Sequence, residues 1–373
     1  MNGGKMGGVS RRERLELTAA ALVPGVLALV GPLAGAAGRL GWAAPFLALP
    51  LGLWLCRCWA ALGTPDLGRG LERAFGRWPG RALEWGYFLW GLLLLAMSAR
   101  RYVDRLSVTF REMPRWMLLT AAFGLCLWLS RSGGEAFARS GRLFFLFLMV
   151  TLGGALLLAL PGVDWRYLWP PEARDWRGIP AGGLWCLELA GYGVYALCLS
   201  LREEGKTKGW PWVLLGCCSL AAVLFVTVGA FGPVLTAELE EPFLSLLEGV
   251  EVPGAFRRGE AVLAAVLIFG DIVLFGLLAH GCRSLWGRLM PEQARGGAVL
   301  FVAGAFLFSE MEWTGTGEHT MLPWGNLMAG ILIPGLAFFT KGGRKGLEEI
   351  ATFCGEEQDR HTDVGAKKKI EKS

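Results

Sequence analysis

Residues 17–37 read LTAAALVPGVLALVGPLAGAA, and residues 181–201 read AGGLWCLELAGYGVYALCLSL. The first holds no charge and the second a single one, Glu188. Each is about as long as a helix must be to cross ~30 Å of hydrocarbon. Each is also punctuated. Pro24-Gly25 interrupts the first and Gly191-Tyr192-Gly193 the second. Proline lacks an amide hydrogen and clashes with the preceding turn, and glycine costs about 1 kcal/mol relative to alanine in a helix. In a bilayer, freed backbone groups must find partners within the protein. The sequence therefore predicts that these interruptions line a cavity able to hold a ligand or ion. Ordinary kinks, or packing seams such as Gly31-x-x-x-Gly35, are the alternative.

The remainder of the chain repeats the apolar pattern. Candidate spans fall at 15–38, 40–62, 80–100, 114–130, 142–160, 181–201, 210–231, 260–282, 296–310 and 322–340. The third can continue past Arg100, where Tyr102, Val103 and Leu106 keep helical spacing. The 373 residues are 53% hydrophobic and only 18% charged, and the charges collect in the connectors. A soluble domain carries nearer a quarter charged residues. The punctuated spans are the first and the sixth, the leading members of two groups of five. Matching interruptions in two halves point to a transporter site built from inverted repeats. The fold expected is an all-α membrane protein of about ten transmembrane helices, five plus five, with broken helices one and six.

Lysine and arginine set the orientation. With residues 1–14 as a cytoplasmic arm and 15–340 as the membrane domain, most of the 37 basic residues fall on the inner side. Residues 341–373 are expected to form a polar, disordered cytoplasmic tail. Residues 100–115 dissent, placing Arg100, Arg101, Arg105, Arg111 and Arg115 outside. The 232–259 connector is acidic, with Glu238, Glu240, Glu241, Glu248 and Glu251, and suits the outer face.

The net charge of +5 is spread over connectors and tail rather than one domain, which excludes a nucleic-acid partner. There is no P-loop, H-E-x-x-H or G-x-S-x-G motif, so neither enzyme nor cofactor is expected. Three scattered histidines propose no metal site. Nine cysteines read as buried free thiols. Two carboxylates stand inside spans: Glu188 beside the sixth-span interruption and Asp271 after Gly270 in the eighth. Such residues usually face the protein interior or water and often bind substrates or protons. Arg57, Glu84 and His280, near span ends, are expected to snorkel. Most tryptophans fit an interfacial belt; Trp90 and Trp185 lie deeper.

Further stretches carry a likeness: Val9-Ser10-Arg11-Arg12, then Gly38-Arg39-Leu40-Gly41-Trp42; Phe75-Gly76-Arg77-Trp78-Pro79-Gly80; Gly134-Glu135-Ala136-Phe137-Ala138-Arg139; and Pro242-Phe243 through Phe256-Arg257-Arg258-Gly259-Glu260-Ala261 to Phe269-Gly270-Asp271. In their order and gaps, over roughly 9–345, the chain resembles the B-subunit family of spore germinant receptors, related to amino-acid permeases of the amino acid–polyamine–organocation superfamily. The resemblance implies a ten-helix inverted-repeat fold, a pocket between spans one, three, six and eight, and an amino acid as ligand. It also implies a larger membrane subunit and a lipoprotein as partners in a spore's inner membrane. Where the family often has G-x-G in span one, this chain has Pro24-Gly25-Val26. The ligand-binding residues expected are Pro24, Gly25, Glu188, Gly191, Tyr192, Gly193 and Asp271. Half-helix amino termini would meet the ligand carboxylate, and Glu188 its amino group or a proton, making the pocket acidic. A proton- or sodium-coupled amino acid transporter is the alternative function, and a ligand-free scaffold a third.

Overall fold

The computed structural model describes residues 9–62, 66–109, 113–131, 134–200, 209–249, 259–293, 303–305 and 315–340. Among these residues the structure is helical, with no strand beyond an isolated bridge at Val9, whose N–H donates to the Ser200 carbonyl. Helix α1 spans Arg11–Ala28 and starts on a capping box. The Ser10 hydroxyl accepts from the Glu13 N–H at 3.2 Å, and the Glu13 carboxylate accepts from the Ser10 N–H at 3.0 Å. These bonds satisfy two amides that a helix start leaves open. The Ser10-Arg11-Arg12 segment is thus a helix start, and the helix begins inside the arm drawn from sequence.

Next come α2 (Val30–Ala37), α3 (Ala44–Leu62), α4 (Leu67–Phe75), α5 (Arg77–Thr109), α6 (Arg115–Arg131) and α7 (Gly134–Ala159). Then follow α8 (Ala173–Leu187), α9 (Leu189–Gly193), α10 (Trp210–Phe231), α11 (Pro233–Glu238), α12 (Pro242–Glu248) and α13 (Gly259–Leu289). Helix α14 (Gly315–Leu327) runs through a π-helical turn at Met328–Leu332 into α15 (Ile333–Phe339). Among the described residues six helical stretches are long and apolar enough to cross a membrane: Val30–Leu62, Arg77–Ser107, Gly134–Gly162, Trp210–Phe231, Leu267–Leu289 and Met321–Phe339. The chain is an integral membrane protein. The expected span 296–310 lies outside the described residues except for a helical 303–305, and the tail 341–373 lies outside them entirely.

Two expectations are corrected here. First, α1 is not unwound at Pro24-Gly25. It stays helical to Ala28, and the interruption is a single residue, Leu29. Leu29 keeps right-handed angles (φ −79°, ψ −10°) and donates to the Gly25 carbonyl at 3.2 Å, while Leu33 donates to Leu29 at 3.0 Å. Backbone bonding thus runs from α1 into α2, a kink rather than a break. Second, the sixth span tightens instead of opening. Glu188 donates to the Trp185 carbonyl at 3.1 Å and Gly191 to the Glu188 carbonyl at 3.0 Å, both three-residue bonds. The 3₁₀ turn spends the amides that an open break would have offered.

Lipid supplies no hydrophobic force between helices, so close packing through small residues holds a bundle together. Helix α1 packs against α7 and α13, and α13 packs along α5. Gly141 of α7 seats against Leu17, and Gly276 of α13 against Phe137. Gly270 lets α13 reach the α1 kink, since a Cβ there would stand 3.0 Å from the Pro24 ring.

The long α5 changes the reading of two of the five dissenting arginines. The helix extends to Thr109, so Arg101 and Arg105 are helix residues turned into the bundle rather than connector charges. Glu84 and His280 do not snorkel. Glu84, buried, accepts from Arg288 at 3.0 Å, and His280 stacks on Phe137 with ring centroids 5.1 Å apart.

Candidate ligand site

A cavity opens beside the α1 kink. It is lined by Ala21, Leu22, Pro24, Gly25 and Ala28 of α1; Ser98, Arg101 and Arg105 of α5; Tyr192 of α9; and Asp271 and Leu274 of α13. Apart from Arg101 and Arg105, which lie just past the third expected span on the same helix, these belong to the first, third, sixth and eighth expected spans. The free volume is about 30 Å³, roughly one water molecule's share of liquid. The site as it stands is too small to hold an amino acid.

Arg105 organises the charged wall. Its Nε and Nη2 donate to Glu241 Oε1 at 3.0 and 2.8 Å, and its Nη1 donates to Asp271 Oδ2 at 2.6 Å. The guanidinium is planar with fixed donor directions, so two carboxylates on two edges hold it in one orientation. Asp271 is 4% exposed, and its charge is offset by this contact. Glu241, just before α12, is the more open partner. Arg101 is within electrostatic reach of both Asp271 and Glu188.

The seven residues expected at the site divide. Pro24, Gly25, Tyr192 and Asp271 meet on the cavity wall. Glu188, Gly191 and Gly193 do not line it. Glu188 accepts from Asn326 Nδ2 at 3.3 Å, and Asn326 Oδ1 accepts from Trp90 Nε1 at 3.1 Å. Gly191 lies flush against the Asn326 side chain, and Gly193 faces the Trp59 ring. The wall charges are consequently two arginines and one aspartate, where an acidic pocket built on Glu188 was expected.

A polar seam continues from this point. The π turn at Met328–Leu332 leaves carbonyls outside the regular helix pattern, and side chains take them up. Tyr87 donates to Ala329 O at 2.6 Å and Trp59 Nε1 to Gly330 O at 3.0 Å; Tyr195 extends the seam by donating to the α5 carbonyl of Tyr87 at 2.7 Å. Removing Asn326 (Asn326→Ala) orphans Glu188 and the Trp90 N–H together. The expected loss is about 1–3 kcal/mol, measured by denaturant titration in detergent; unchanged stability would show that the two groups find other partners.

Sequence reasoning missed Arg105, Arg101, Ser98, Glu241 and Asn326. The helical spacing of Tyr102, Val103 and Leu106 past Arg100 was a usable signal for the arginines. Nothing local marked Glu241 or Asn326, whose roles depend on partners more than a hundred residues away.

At the opposite end of the α5–α13 pair, Arg288 contacts Glu84 at 3.0 Å, Glu72 at 3.1 Å and Asp66 at 3.7 Å. The 21 residues from Glu84 to Arg105 set the two clusters about 30 Å apart along α5. Among the described residues no group of histidine, cysteine and carboxylate side chains is placed to hold a metal, and the cysteines are free.

The fold is shared with MhsT, solved in complex with L-phenylalanine, at a TM-score of 0.62 and 15% identity, covering 90% of this chain and 88% of that one. A mutant manganese transporter of Eremococcus coleocola aligns at a TM-score of 0.43 and 14% identity, covering 87% and 74%. No curated protein matches the sequence. Residues 17–311 match the family model described as spore germination protein, Spore_permease, and the chain belongs to that family.

Proposed function

We propose that this chain is the nutrient-binding membrane subunit of a spore germinant receptor, and that it binds a small amino acid in the cavity between α1, α5, α9 and α13. The observation that carries the reading is this cavity, with charges of both signs on its wall, in a member of a spore germination family. The shared fold with a protein solved with L-phenylalanine bound is consistent with an amino acid ligand. Binding would favour an arrangement of the bundle with the cavity open, by as much as the ligand prefers that arrangement over the closed one. A larger membrane subunit and a lipoprotein would read the change in the inner spore membrane, with both termini of this chain cytoplasmic. Pro24, Gly25, Tyr192 and Asp271 form the ligand wall in this reading, and Glu188, Gly191 and Gly193 shape the α9 side of it.

One observation favours a second reading, an ion-coupled amino acid transporter. The cavity is too small for an amino acid while ion clusters tie α5 to α13 at two levels, at Arg105–Asp271 and at Arg288–Glu84, an arrangement suited to opening one level at a time. Spores lacking the gene separate the two. Loss of core-solute release toward particular amino acids, with labelled uptake in growing cells intact, is the expected result. Uptake lost with germination intact would replace the sensor by a transporter.

A further inference from the structure

We propose that the Arg105–Asp271 ion pair is a placeholder for a zwitterion: the ligand enters by inserting its carboxylate against Arg105 Nη1 and its ammonium against Asp271. This inference rests on the nutrient-binding reading above and names the chemistry by which that site selects its ligand.

The α1 backbone leaves little for an anion to bind. Pro24 has no N–H, and the Leu29 amide is already bonded to Gly25. The tightened Glu188 turn likewise spends its amides within the chain. Recognition of a carboxylate therefore falls to side chains on the wall, and Arg105 is aimed for it. Glu241 holds the Nε and Nη2 edge through two bonds, which leaves Nη1 directed at Asp271 beside the cavity. Glu241 acts as a positioning residue, keeping the guanidinium in place while Nη1 changes partner.

Charge balance decides which ligands fit. Separating Arg105 from Asp271 leaves the buried Asp271 carboxylate without its hydrogen-bonded partner and Nη1 without an acceptor, although Glu241 still pairs with the guanidinium; the separation is costly unless both find new partners. A zwitterion supplies both at once, so the wall is neutralised before and after binding. A carboxylic acid alone leaves Asp271 unpaired, and an amine alone leaves Arg105 Nη1 unpaired. A cationic side chain would add a charge beside Arg101. The rest of the lining is uncharged: Ser98 and Tyr192 are polar, and Ala21, Leu22, Ala28 and Leu274 are apolar. The ligand class is therefore an α-amino acid with a small, uncharged side chain.

The test uses the full-length protein in lipid nanodiscs and calorimetric binding of each of the twenty standard L-amino acids. Whichever binds is compared with its deaminated acid and its decarboxylated amine. Wild-type protein is expected to bind the amino acid and to lose on the order of 10–100-fold with either analogue. Lysine and arginine are expected not to bind. Asp271→Asn should narrow the gap between the amino acid and its deaminated acid, and Arg105→Gln should narrow the gap to the amine. The analogue comparison on wild-type protein needs no variant to fold. Equal affinity of an analogue and its parent would overturn the placeholder while leaving nutrient binding intact. Binding of no amino acid at all would overturn both.

Discussion

Arg105→Ala is expected to lower stability by about 3–5 kcal/mol, the cost of leaving a buried charge without its partner. The charge left behind is Asp271, which is 4% exposed and loses the 2.6 Å contact to Nη1. The companion variant separates loss of a partner from loss of attraction. Arg105→Met with Asp271→Leu removes both charges and fills similar volume, and should fall near wild-type stability or above it. Glu241 tolerates the double change because it is the more open of the two carboxylates. Unfolding of both variants by SDS titration checks the pair. If Arg105→Ala alone proves neutral, Arg101 has taken over Asp271, and the ion pair is not what closes the cavity.

The second large effect lies on the other side of α9. Gly330 in the π turn packs directly on the backbone of Ala190 and Gly191, and a Cβ there would overlap those atoms. Backbone cannot move aside as a flexible side chain can, so Gly330→Val is expected to cost about 1–3 kcal/mol or more through overpacking. It should also unseat the Trp59 bond to the Gly330 carbonyl, which a red-shifted tryptophan emission would report. Gly216→Ala is the control. Nothing lies within 4 Å of the added methyl, it sits in the interior of α10, and a gain of about 0.4–1 kcal/mol is expected. Equal behaviour of the two variants would mean that the α9 contact is not tight.

Individual residues show what was legible beforehand. The all-helical membrane fold could be read because a bilayer imposes its demand locally: each span must be apolar over about twenty residues, whatever its neighbours do. The place of the cavity was legible for a similar reason. Proline and glycine mark sites where one helix must deform, and Pro24, Gly25 and Tyr192 line the cavity. The form of the deformation was not legible. Whether a Pro-Gly pair unwinds a helix or only kinks it depends on what packs against it. Here Gly270 closes α13 onto the Pro24 ring, and the helix stays wound. The electrostatics were the least legible part. Glu188 looked like the ligand's partner because it stands alone in an apolar run. Asn326, 138 positions away, accounts for one of its oxygens instead. Arg105 looked like a connector charge because its burial depends on α13 and on the segment before α12.

The π turn at Met328–Leu332 has a geometric consequence of its own. A π turn amounts to one extra residue in an otherwise regular helix, and one residue corresponds to about 100° of rotation in an α-helix. Everything after it, including Leu336 and Phe339 on the exposed surface, therefore has its azimuth set by that insertion. The turn works as a phase shifter. It lets α14 present Asn326 to the α9 side while α15 shows a different set of side chains outward than an unbroken helix of the same sequence would.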